Sequence, residues 1–385
     1  MCDVNQEDLM IPKEFVKSKD QNCIKCKTEK SSLIVRNIRY CKSCFLYNFE
    51  GKFRSILNRT RSINDKNCQN MLLAFSGGIS SRAMLQLVKN FTTPHNKYGN
   101  ILVCHIDESI VLDNCNNNVN ELESIVQGYN FEYKKINLES IYQQDENENK
   151  RRLLELLNSL SNLTEKEDLI QNLKHTLLVQ IAKESNSSML LLGDSSTTIA
   201  IKTIALTSKG RGFSLPFEIA TESNCYQGVT LIRPMRDSIN KEIAMFNYFN
   251  QLSTPWLSTI YTKKPGRSSI FRLTEEFIIN LDNGFPSTVS TIVRTANKLT
   301  PSSKVDAKKW CLLCLNPAEK DIVQWKNKVM LKKLDQIGDQ KEEIMDEDGI
   351  NQYFCYGCTT ICEKFEQEKL PNYVIEGMER LKQNN

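Results

Sequence analysis

Five consecutive apolar residues, Met71 to Phe75, run straight into Ser76-Gly77-Gly78-Ile79-Ser80-Ser81, and a helical pattern follows from Arg82 to Lys89. An uninterrupted apolar run suits a strand buried on both faces, which is how strands of a helix-covered parallel sheet read. Paired glycines allow a sharp turn with exposed amides, and the helix start adds unsatisfied N–H groups and a positive dipole end. That corner suits a phosphate, and it also serves as an ordinary tight turn. Either way it commits the chain to a strand, a turn and a helix at the start of an α/β unit.

The rhythm continues downstream. Apolar strands are predicted at Ile101 to Ile106, Phe131 to Ile136, Met189 to Leu192 and Val229 to Ile232. Helical patterns at Val119 to Gln127, Leu153 to Leu160, Asp168 to Glu184, Ile199 to Leu206 and Ile239 to Leu252 separate them. This alternation predicts a doubly wound parallel sheet. The Asn-rich stretch Asn114 to Asn118 and the polar run Gln143 to Lys150 read as solvated loops. The run Phe45 to Asn64 has Phe49, Phe53, Ile56 and Leu57 on one helical face and reads as a basic linker helix.

Fourteen cysteines are unevenly placed. Cys23-x-x-Cys26 and Cys41-x-x-Cys44, with 14 residues between the pairs, form two knuckles able to complete a tetrahedral thiolate shell around structural zinc. Cys311-x-x-Cys314 and Cys355-x-x-Cys358 form a second such set across a wide acidic insertion ending Asp346-Glu347-Asp348-Gly349, with Cys362 as an extra thiol. Two Zn²⁺ ions are therefore expected. Met1 to Val16 lacks the apolar core of a secretory signal, and no run approaches the roughly 18 apolar residues that would span a bilayer, so an intracellular, membrane-free chain is expected. With Lys plus Arg at 50 against 46 acidic residues, any nucleic-acid contact must come from local patches.

The loop from Ser76 to Ser81 resembles the N-type ATP pyrophosphatase signature Ser-Gly-Gly-X-Asp-Ser, with Ser80 where the Asp stands. Five pieces occur in one order: the N-terminal knuckles, this loop, Gly193-Asp194-Ser195 with the segment through Lys209-Gly210-Arg211-Gly212, Arg233-Pro234-Met235-Arg236-Asp237, and the C-terminal cysteine pairs. In that order the chain resembles the cytoplasmic tRNA 2-thiolation protein 2 family over nearly its full length. The resemblance implies a PP-loop ATP pyrophosphatase-like core flanked by zinc-ribbon-like modules, in a cytoplasmic protein. It also implies a heterodimer with a catalytic homologous thiolase subunit, tRNA as substrate, wobble-uridine 2-thiolation, and sulfur from a thiocarboxylated ubiquitin-like carrier. The expected divisions are 1–50, 51–66, 67–262, 263–300 and 301–385.

Departures from catalytic relatives define the expected role. Those relatives follow the fourth core strand with Gly-His-Asn-Ala-Asp-Asp, whereas this chain reads Gly193-Asp194-Ser195-Ser196-Thr197-Thr198. No cysteine lies between Ser124 and Asn224, and Cys225 stands alone, so an iron–sulfur cluster is not expected. Cys68, Cys104 and Cys115 read as packing or surface residues. With Ser76, Gly77, Gly78, Ser80 and Ser81 as a degenerate phosphate loop, a non-catalytic or weakly active subunit is expected, and retained ATP binding is left open. Lys202, Lys209, Arg211, Arg233 and Arg236 are the candidate tRNA contacts, with Arg151, Arg152 and Lys263-Lys264-Pro265-Gly266-Arg267 as lesser basic patches. The competing readings are a self-sufficient ATP-dependent tRNA sulfurtransferase and a zinc-ribbon scaffold without RNA contact.

Overall fold

The computed structural model describes residues 22–60, 69–92, 98–112, 119–226, 228–255, 257–260, 264–301, 305–319, 350–362 and 365–383. Asn114 to Asn118, Cys68, Cys115, Lys263 and the acidic run before Gly349 lie outside them.

A hairpin of β1 (Leu33–Val35) and β2 (Ile38–Tyr40) leads directly into α1 (Lys42–Thr60). The core follows as β3 (Gln69–Ala74), α2 (Ile79–Thr92), β4 (Tyr98–Asp107), α3 (Val119–Gln127) and β5 (Glu132–Asn137). It continues with α4 (Glu146–Asn158), α5 (Leu163–Glu184), β6 (Met189–Leu191), α6 (Ser196–Ser208), α7 (Leu215–Glu218), β7 (Glu222–Tyr226), β8 (Val229–Ile232) and α8 (Asn240–Phe249). Then come α9 (Ile270–Gly284), α10 (Thr288–Ala296), the antiparallel pair β9 (Val305–Trp310) and β10 (Pro317–Glu319), α11 (Tyr356–Cys362) and α12 (Asn372–Gln383).

Six strands form one sheet in the order β5-β4-β3-β6-β8-β7. All neighbours are parallel except β7, which runs antiparallel to β8. The chain winds outward from β3 to β4 and β5, then returns to place β6 on the other side of β3, so the topological switch lies between β3 and β6. Strand alternation divides the core: Met71, Leu73 and Phe75 face one apolar layer and Leu72 the other. Met189, Leu191 and Ile232 join the first layer, and Leu190, Val229 and Leu231 the second.

Several expectations change. The Phe45 to Asn64 helix is not a bridge between independent parts, because α1 starts between two zinc-type cysteines and passes through the 50/51 boundary into the first core layer. Phe49 stacks on Phe246 of α8 at 4.6 Å, and Phe45 meets Phe249 edge-on at 5.8 Å. Buried Glu242 of α8 holds Lys52 of α1 at 3.0 Å and Arg36 of the hairpin turn at 3.3 Å, so the knuckle is tied to the sheet by charge as well as by rings.

The polar run Gln143 to Lys150 is not a free loop. It turns into α4, and buried Asn149 closes the turn by accepting from the Gln144 N–H and donating back to its carbonyl. The 301–385 part is likewise no appendage. Cys311, Cys314, Phe354, Ile361, Leu370, Val374 and Met378 share the second core layer with Leu153, Leu169 and Ile170 of α4 and α5. The 263–300 stretch supplies α9 and α10, which pack on α6 around Ile199, Ile278 and Val293.

Candidate metal centres and the strand-end loops

The two cysteine sets assemble as the spacing requires. In each of Cys23, Cys26, Cys41, Cys44 and Cys311, Cys314, Cys355, Cys358, the four Sγ atoms lie within 4.8 Å of one another. A tetrahedron with Zn–S bonds of about 2.3 Å has edges of about 3.8 Å. Cys26 and Cys41 Sγ stand 3.8 Å apart, as do Cys314 and Cys355. These separations fit four thiolates sharing a single ion such as zinc. An iron–sulfur cube would spread its thiolates farther, since each binds a different iron. Four sulfur ligands would saturate such an ion and leave it a cross-linking role. Cys362 is buried outside the second set and is the thiol left over.

The two centres differ in surroundings. Cys26 and Cys44 are partly exposed, whereas all four C-terminal ligands are buried. Four thiolates around one divalent ion leave a net charge of about −2, and burying it requires a counter-charge. Arg211 supplies one. Its guanidinium, 4% exposed as a residue, donates to Cys358 Sγ at 3.9 Å, and the Asn172 amide donates to the same sulfur at 3.8 Å. Gly210 takes φ +73° under the Tyr356 ring, and a Cβ on Gly357 would stand 2.3 Å from Arg211 Nε. The glycines thus let Arg211 pass against the cysteine knuckle rather than approach a phosphate. Replacing Arg211 by Gln is expected to speed chelator-driven metal release from this centre at least tenfold, in line with other supports of metal ligands. A coloured chelator with stopped-flow detection measures it, and Arg211→Lys should fall in between.

Among the other basic candidates, Lys209 is paired with Asp168 at 2.6 Å and Lys202 with Asp194 at 2.8 Å. Arg233 donates to Asp194 at 3.1 Å and to the Ala220 carbonyl at 2.9 Å. Arg236 is 3% exposed and donates to Thr221 Oγ1 and Asn297 Oδ1. The five do not form an exposed basic face. Three are buried arginines, and the charge of the group is used between elements. Arg152 also faces inward, stacked 4.5 Å over the Tyr142 ring and bonded to Asn372 and the Leu370 carbonyl, while Arg151 pairs with Glu148 and Glu155.

The glycine loop sits where an α/β sheet places its ligands, at the carboxyl end of β3 beside the switch point. Gly77 has φ +78°, and a Cβ there would come within 2.7 Å of both Leu122 and Leu257. Its glycine is required by backbone and packing alone. Ser76 donates to Ser81, and Ser81 donates to the Gly78 carbonyl at 3.0 Å. Gly193, after β6, lies so close that its Cβ would touch the Ser81 backbone at 3.4 Å.

The Gly193 to Thr198 hydroxyls are internally satisfied. Ser195 caps α6 by accepting from the Thr198 N–H and donates to Asn240 Oδ1 at 2.6 Å, while Ser196 donates to the Arg236 carbonyl at 2.5 Å. Burial would raise the Asp194 carboxyl, but Lys202 and Arg233 outweigh it and hold the group below the ordinary carboxylate range. Nearby His175 is driven down to about 3 by burial and by the charges of Arg233 and Lys202, so it is neutral, and its Nε2 has no partner among the described residues. Cys104, the one core cysteine whose side chain is described, is pushed up to about 12 by burial and carries no thiolate.

The family model described as "Cytoplasmic tRNA 2-thiolation protein 2" matches residues 269–360, from the start of α9 into α11. Proteins of that description are similar along most of the chain. The one from Xenopus tropicalis is 29% identical, covering 80% of this chain and 74% of its own. The one from Schizosaccharomyces pombe is 27% identical over 89% and 92%, and the one from Dictyostelium discoideum 32% over 77% and 58%. Among solved structures, the U34-tRNA thiolase NcsA from Methanococcus maripaludis with its 4Fe-4S cluster shares the fold, with TM-score 0.58 and 18% identity over 75% of this chain and 92% of that one. A PP-loop-type sheet, two Cys₄ sets and relatives of one description along most of its length make this chain similar to the proteins described as cytoplasmic tRNA 2-thiolation protein 2.

Proposed function

We propose that this chain is the non-catalytic subunit of a cytoplasmic tRNA thiolase that 2-thiolates wobble uridine, paired with a catalytic homologue that receives sulfur from a thiocarboxylated ubiquitin-like carrier. One observation carries the reading. At the strand ends where the fold does its chemistry, the loop offers Ser80 where a carboxylate would hold a metal ion, and Asp194 is already occupied by Lys202 and Arg233. Adenylating uridine needs divalent-metal-bound ATP, and passing sulfur needs a thiolate or a cluster. The described core offers Cys104 as a neutral buried thiol instead, and both Cys₄ sets are closed shells spaced for one ion. In this reading zinc is structural, the chain carries no iron–sulfur cluster, and its glycine turn is kept for packing.

Pairing is supported by α9, where Leu273 and Phe277, one turn apart, are 50% and 53% exposed within the segment that the family model matches. That apolar surface suits a protein partner.

Reconstitution tests the proposal. The lone chain with ATP, a sulfur donor and substrate tRNA should give no thiolated product, the catalytic homologue alone little, and the pair full thiolation, read by mass spectrometry of nucleosides. Thiolation by the lone chain would overturn it.

A further inference from the structure

An exposed cationic surface lies away from the strand ends, on the N-terminal knuckle and α1. Between Asn22 and Thr60 the chain carries nine Lys or Arg and two Glu, against a net +4 for all 385 residues. Arg36 and Lys52 are used by Glu242, but Lys25, Lys27, Lys30, Arg54 and Arg59 are exposed and form no ion pair among the described residues. The two glutamates turn to neutral partners, Ser43 and Asn90.

Within this field stands Tyr47, 65% exposed on α1 opposite the phenylalanines that enter the core. Lys25 Nζ lies 4.9 Å from its ring centroid and Arg54 Cζ 5.9 Å, so cations from the knuckle and from two turns along the helix converge on one aromatic ring. One turn beyond Tyr47 and one before Arg54 comes Gly51. A glycine inside a helix weakens it relative to alanine, and a Cβ at Gly51 would meet nothing within 4 Å. No neighbour requires the missing side chain. Its absence leaves a bare notch in the helix surface beside the ring.

We propose that this face of the knuckle and α1 binds unpaired RNA, with a base stacked on Tyr47 over the Gly51 notch and phosphates held by the surrounding Lys and Arg side chains. The inference rests on the tRNA reading above and adds the surface. An exposed ring suits a base that has left its stack, and a base inside a duplex cannot present its face. The Cys₄ centre and the Glu242 ion pairs hold Lys25 and α1 in fixed relation, so the surface is formed before the RNA arrives. An acidic protein would be recognised by charge and would have little use for the ring or the notch.

The test uses the full-length chain and fluorescence anisotropy, with a labelled tRNA containing U34 and a fully paired RNA as probes, at several salt concentrations. Tyr47→Ala should weaken tRNA binding by roughly fivefold to a hundredfold with the salt slope unchanged, because stacking releases no counterions. Lys25→Ala with Arg54→Ala should lower the slope of log affinity against log salt by about two, if each contacts one phosphate. Gly51→Leu should fill the notch and weaken tRNA binding while the melting temperature holds or rises, which separates lost binding from lost folding. Unchanged affinity in Tyr47→Ala and Gly51→Leu would overturn the surface, as would equal preference for the paired RNA. In either case reconstituted thiolation would stay intact, leaving the subunit reading standing; a complex that thiolates equally well without this chain would instead remove that reading.

Discussion

A serine at Cys314 or Cys358 is expected to abolish the folded state of the whole sheet rather than loosen one end of it. The four ligands of this centre are buried and belong to the apolar layer that also contains Leu72 of β3, Leu102 of β4 and Leu231 of β8. Structural zinc in small knuckles contributes about 10–16 kcal/mol of apparent binding free energy, while a domain's net stability is about 5–15 kcal/mol. Losing one thiolate from a closed four-sulfur shell also leaves Arg211 beside a weakened counter-charge and a polar hydroxyl in an apolar layer. Recovery of soluble protein, far-UV circular dichroism and zinc content read the result. The matching Cys26→Ser change, at a ligand that is part-exposed on the hairpin side, should cost the N-terminal metal and leave the sheet's melting transition in place. Equal damage from the two would show that the C-terminal centre is no more central than the other.

The second large effect is expected at Asp194. Replacing it by Ala removes the shared partner of Lys202 and Arg233, whose side chains are 30% and 5% exposed. Lys202 can turn to water, but the Arg233 guanidinium cannot. Breaking a buried pair by removing one side costs about 3–5 kcal/mol, because an uncompensated charge stays behind. Asp194→Asn keeps the acceptor oxygen without the charge and should lose less. Denaturant titration measures both. If Asp194→Ala were as stable as the parent while the reconstituted complex lost thiolation, the carboxylate would be serving chemistry, and the non-catalytic reading would be wrong at that point.

Much of the architecture was legible because the signals are local. Met71 to Phe75 is apolar on both faces, and a strand of that kind has few homes besides a covered parallel sheet. The cysteine pairs carry their own geometry, since two thiols at C-x-x-C spacing converge on one ion. The edge strand Glu222–Tyr226 was not legible, being short, polar and paired on one side, so its sequence gives no apolar run. The destinations of the basic residues were hidden for another reason. Arg211 reads as an RNA contact until Cys358 and Gly357, some 147 residues away, are brought beside it. The same holds for Arg36 and Glu242. Tyr47, Gly51 and Arg54 did leave a trace, an aromatic, a gap and a cation along one helical face, masked by the stronger apolar pattern on the opposite side.

The interleaving of Phe354, Leu370, Val374 and Met378 with α4 and α5 has a consequence for how the polypeptide is made. A ribosome releases the sheet strands long before Phe354 to Met378, so the layer they complete must wait, exposed, until those residues emerge. A stop codon shortly before Cys355 would therefore strand an otherwise finished sheet with its apolar side open, and such a product is expected to meet chaperones and proteases rather than accumulate.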